Sequence, residues 1–107
     1  MTRSEVLDEA KKCITGAREQ DYGRPEDNFK TIADLWSIYK GIRFSALDVS
    51  VMMGLLKTAR IKNGGGSGDS YVDACGYFAI AGELYSIEAN RPKTIGRQAD
   101  GGSGVRD

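Results

Sequence analysis

The stretch LDVSVMMGLLKTARI, residues 47–61, decides the fold. It is apolar on most sides, and nothing in it alternates with period two. Ser45 stands just before it as an N-cap, with Asp48 three residues on as a shortened capping box. A helix that is apolar nearly all round is a buried one, so this segment reads as the central helix of a bundle. Its longest apolar run, Val49–Leu56, is broken by Ser50 and Gly54 and is far too short to span a bilayer.

Helical spacing extends on both sides of it. Upstream, Val6, Leu7, Ala10, Cys13, Ile14 and Ala17 form one stripe of an amphipathic helix from about Ser4 to Arg18. A second helix begins at Pro25, a residue suited to a first helical position, with Glu26 and Asp27 favouring the positive end of the dipole. It turns Phe29, Ile32, Ala33, Trp36 and Tyr39 inward and stops near Gly41. Downstream, a fourth helix starts at Asp69 or Ser70 and runs to about Ala89. Its Ala74, Gly76, Ala79, Ala81 and Gly82 make it small-sided and open to close approach by another helix. The expected fold is therefore all-α and four-helix bundle-like. Four short helices offer little core at this size, so the apolar third helix points to a core shared in a homodimer or higher homo-oligomer.

Composition narrows the chemistry. The chain has 107 residues, 15 Lys+Arg, 15 Asp+Glu, two cysteines and no histidine. Without histidine, Ser-His-Asp and Cys-His hydrolases and His-based zinc sites are excluded. A net charge of zero argues against a nucleic-acid binder, which needs a basic surplus. Cys13 and Cys75 read as buried free thiols of an intracellular protein. Glu5, Asp8 and Glu9 occupy the region where a secretory signal would be apolar, so a soluble, cytoplasmic protein is expected. Residues 1–90 form one domain with 11 basic and 13 acidic side chains, whereas the last 17, RPKTIGRQADGGSGVRD, carry 4 basic and 2 acidic. That segment has too few apolar groups to offset its ordering entropy and reads as a flexible basic tail.

Three polar clusters intrude on this helical plan. Lys57 and Arg60 share a face of the third helix, where packing would prefer neither. They are expected to leave the core, to pair with acids, or to face a ligand's phosphates. Asp69, Asp73 and Tyr77 recur at i, i+4 and i+8 on the fourth helix, with Ser70 beside them and the loop NGGGSG ahead. Two carboxylates at a helix start suit a Mg²⁺ that carries phosphate better than a bare anion. A capped helix, with Ser70 as N-cap and Asp73 at the third position, would explain the same residues. The third cluster is REQDYGRPEDN, residues 18–28. Its Gly23 and Pro25 are a turn and a helix start, and they leave Arg18, Asp21, Tyr22 and Asn28 as groups that could stack on and hydrogen-bond a base.

The ordered blocks R-x-x-DYG-x-P-x-x-N-F, LW-x-x-Y, DVSVMMGLLKTARIKNGGG and DSYVDACGY resemble a family of small, mostly phage-encoded proteins of unassigned function. That family is similar in turn to the all-α nucleoside triphosphate pyrophosphatases, the MazG-like and dimeric dUTPase-like proteins. The resemblance implies an oligomeric all-α fold that binds Mg²⁺ through helix-borne carboxylates and cleaves between the α and β phosphates. Asp73 matches the last acid of the superfamily's later ExxD motif, and Ser70 stands where its first acid would be. The earlier ExxE motif has no match, which leaves Asp48, Asp69 and Asp73 as metal candidates. On this reading Asp73 and Lys57 are catalytic. Arg18, Asp21, Tyr22, Asn28, Lys57, Arg60, Ser70 and Tyr77 bind the nucleotide. The alternatives are a binder that sequesters a nucleotide without cleaving it, as in phage anti-defence, and a structural helical oligomer.

Overall fold

The computed structural model describes residues 1–16, 23–64 and 68–90; the basic segment from Arg91 onward lies outside them. Among the described residues there are four helices and no strand: α1 (Arg3–Ile14), α2 (Pro25–Lys40), α3 (Ala46–Lys62) and α4 (Asp69–Ala89).

Local chemistry sets most of these boundaries. Thr2 and Glu5 form a reciprocal capping box at the start of α1. The expected extension to Arg18 does not occur: Thr15 turns extended and Gly16 takes φ +68°, which ends α1 at Ile14. Pro25 opens α2, and Gly41, at φ +71°, closes it by donating its N–H to the Ser37 carbonyl. The Ser37 hydroxyl then accepts the Phe44 N–H at 2.8 Å, tying the connection back to the helix and setting Phe44 edge-on to Trp36. Ser45 and Asp48 make the full capping box expected of α3.

The last helix begins differently from the capped-helix expectation. Its N-cap position is Gly68, without a side-chain cap, so Asp69 is the first helical residue. Ser70 lies inside the helix and is buried, and Asp73 is the fifth helical residue, past the capping positions.

α3 and α4 form an antiparallel hairpin around which the other helices are arranged. Ser50, fully buried, donates its hydroxyl to the Tyr77 carbonyl at 2.6 Å. Further along, Gly54 lets the helices close: a Cβ there would stand 2.6 Å from the Phe78 ring. α1 packs on α4, where Ile14 lies against Gly76, and α2 packs on α3. The core joins Phe29 and Ala33 of α2, Val49 of α3 and Ile80 of α4, with Ile14, Trp36, Met53 and Tyr77 around them.

Both outer helices therefore cover the same side of the hairpin. Its other side, carrying Leu55, Tyr71, Phe78 and Tyr85, is left bare, with those side chains 57%, 56%, 44% and 65% exposed. Tyr39, expected inward, is 85% exposed in the last turn of α2, although Ile32, seven residues earlier on the same side, packs against the core. Leu7 is likewise exposed on α1. Both cysteines are free as expected, but each is half-buried instead of buried.

Candidate functional site

A cleft of about 200 Å³ opens between the end of α1, the start of α2 and the first half of α4. Ile14, Phe29, Val72 and Ile80 give it apolar walls. Asn28, Asp73 and Tyr77 supply its side-chain polar groups, and Cys13 stands at its α1 edge. The Phe29 and Tyr77 rings lie 5.9 Å apart at 43°, so two aromatic surfaces meet there. This combination of apolar wall and few polar groups is typical of a small-molecule site, although a drug-sized ligand usually needs more than about 300 Å³. About 150 Å³ already holds a single benzene-sized ring.

The cleft has ends of different charge. At one, Lys57 reaches across from α3, and its Nζ lies 2.9 Å from Asp73 Oδ2. Only 15% of the Lys57 side chain is exposed, against 36% of Asp73. Arg60, one turn on, is exposed and makes no ion pair among the described residues. The opposite end adjoins, at Ile14 and Ile80, a second recess of about 420 Å³ with Arg24, Glu26 and Glu83. Burial alone would raise the Glu26 carboxyl. Its own backbone N–H and the Arg24 guanidinium, 2.5 Å away, outweigh that and hold it below the usual carboxylate range. The acid end would repel a phosphate, whereas at the other end the charge of Lys57 is balanced by Asp73.

The structure thus brings Asn28, Asp73, Tyr77 and Lys57 together, from three helices. Ser70 is buried on α4 and Asp69 sits one turn before Asp73. Arg18, Asp21 and Tyr22 lie outside the described residues.

The expected metal triad does not form within the chain. Asp48 caps the opposite end of α3 through the Ser45 N–H, about 14 Å along the helix axis from Lys57. Asp73 is engaged by an ammonium. Among the described residues no three carboxylates or thiols gather to hold a metal ion. Asp69 and Asp73 alone fall short of a resident Mg²⁺ site.

Phe29, Val72 and Ile80 were missed as site residues, since an apolar residue at helical spacing reads as core until a cavity is seen beside it. Glu26 and Glu83 were missed for a different reason, being ordinary surface acids until α2 and α4 are set side by side.

An all-α chain with such a cleft admits many functions, and relatives give its family. Residues 5–85 match the model of a family described as a domain of unknown function, DUF6378, and the chain belongs to that family. It is 41% identical over 96 residues to the Gene 55 protein of Mycobacterium phage L5, covering 89% of this chain and 62% of that protein. It is also 41% identical over 80 residues to the Gene 55 protein of Mycobacterium phage D29, covering 75% of this chain and 53% of that one. The chain therefore spans between half and two thirds of the length of these phage relatives. No solved structure matches it. No helix among the described residues is long and apolar enough to cross a membrane.

Proposed function

We propose that this phage-family protein binds a nucleotide in the α1–α2–α4 cleft, acting in the host cytoplasm on nucleotides or nucleotide signals. The observation that carries the proposal is the Lys57–Asp73 pair at the rim of a ring-sized cleft. The cleft volume suits one planar base, with Phe29 and Tyr77 as its aromatic neighbours and Asn28 as an amide for its edge. Lys57, held by the cleft residue Asp73, would meet the phosphates at the end away from Glu26 and Glu83, with Arg60 one helical turn further along α3. Asp73 orients Lys57 and keeps its charge paired in the free protein.

Binding without cleavage is the reading best supported, because the carboxylates needed to hold Mg²⁺ do not converge among the described residues. Mg²⁺-dependent pyrophosphohydrolysis of the MazG-like kind is the second reading. Asp69 and Asp73, one turn apart on α4, favour it.

Thermal denaturation with each nucleoside triphosphate, with and without Mg²⁺, tests both. A ligand selective for the folded state raises Tm. The expected result is a rise with at least one nucleotide that is abolished in Lys57→Met. No rise with any nucleotide overturns the proposal, and pyrophosphate release on incubation with Mg²⁺ would establish the second reading over the first.

A further inference from the structure

The side of the α3–α4 hairpin opposite the cleft is unaccounted for by nucleotide binding. Leu55, Tyr71, Phe78 and Tyr85 lie on it, each between 44% and 65% exposed. Tyr71, Phe78 and Tyr85 recur every seven residues and so share one face of α4. Phe78 lies over Gly54, the neighbour of Leu55, which joins the two helices into a single surface. At these exposures the four side chains leave roughly 500 Å² bare, at the upper range of the largest patch on an ordinary monomer.

We propose that this face is where a second copy of the chain docks, making a two-fold dimer with a shared four-helix core. Three observations select a second copy as the occupant. Two helices with an apolar outer side are half of a four-helix core, and the missing half is another such hairpin. The area, counted on both copies, is about 1,000 Å² before smaller neighbours are added, which is the floor for a specific interface, and the neighbours Met52 and Leu56, also partly exposed, add to it. The charges are self-complementary. Asp48, Leu55 and Lys62 are also seven apart, so an acid and a base flank the apolar centre of α3 at equal distances. An antiparallel copy sets Asp48 against the Lys62 of its partner and Leu55 near the axis. No charged side chain stands between those ends on this face.

The test is sedimentation equilibrium of the full chain. The expected mass is twice 11.6 kDa. Leu55→Glu and Tyr85→Glu should each weaken the dimer by at least about 100-fold, with unchanged helical circular dichroism. Lys62→Asp should weaken it about tenfold through like charge. Ile38→Glu, on the exposed flank of α2, should leave it intact. A wild-type monomer at ~100 µM overturns the proposal. So does a dimer that survives both Leu55→Glu and Tyr85→Glu, or one that dissociates in Ile38→Glu. The nucleotide-dependent rise in Tm should persist in Leu55→Glu and Tyr85→Glu, because the cleft lies on the other side of the hairpin.

Discussion

Lys57 Nζ and Asp73 Oδ2, 2.9 Å apart, join the last turns of α3 to the first turns of α4 at the rim of the cleft. The pair is unequal: the lysine is mostly buried and the aspartate is about one third exposed. Removing the carboxylate leaves a buried ammonium unpaired, while removing the ammonium leaves a carboxylate that water can reach.

Asp73→Ala is therefore expected to destabilise the fold by about 1–2 kcal/mol, less than a fully buried pair would lose because solvent screens the exposed side. Lys57→Met should cost less, and Lys57→Met with Asp73→Leu should recover most of the loss. Urea midpoints of the three variants measure this. An Asp73→Ala protein as stable as wild type would show that the lysine escapes to solvent.

Ser50→Ala removes the hydroxyl donated to the Tyr77 carbonyl across the hairpin. That carbonyl keeps its helical position, so the expected loss is about 1 kcal/mol, or a fall of about 4–8 °C in Tm. Ser50→Val retains no donor and adds bulk at a site with no exposure, and should be the worse of the two by scanning calorimetry.

Gly54→Ala sets two effects against each other. Alanine favours the helix by about 1 kcal/mol, while its Cβ would meet the Phe78 ring at 2.6 Å. The ring end can swing outward because Phe78 is half-exposed. Folding stability should change by less than about 1 kcal/mol, whereas the proposed self-association should weaken as the ring leaves its place. Sedimentation and urea melts on the same preparation separate the two.

Glu26 gives a pH dependence of known sign. Its folded carboxyl titrates below the ordinary value of about 4.3, so its contribution is complete above that pH and fades as pH falls through the folded value. Wild type should exceed Glu26→Gln at pH 7 by no more than about 1 kcal/mol, since Arg24 is largely exposed, and the two should converge as pH falls through the folded value. A gap that widens on acidification would reverse the assignment.

Much of the fold was legible in short-range chemistry. The Ser45–Asp48 box, Pro25 and Gly41 each act within one helical turn, and the corresponding boundaries fall where those residues place them. The end of α1 was misjudged because the apolar stripe continues to Ala17, and periodicity does not register a chain that has already turned at Thr15 and Gly16. Ser70 was misplaced because Gly68 takes the N-cap position without a side chain. At the site, Lys57 announced itself as a charge on an apolar helix, and Asp73 as an acid near the start of the next. Asp48 could not be separated from them by residue type. Only the length of α3, with Asp48 and Lys57 at opposite ends, excludes it.

The hairpin's one-sided cover bears on how this sequence tolerates drift. α1 has a side that answers to the core and a side that meets water, so substitutions can accumulate on the latter. α3 and α4 form a partition with one side toward the cleft and core and the other an apolar surface of its own. A saturation library of the chain should accordingly show permissive positions in periodic stripes along α1, and few of them along the partition.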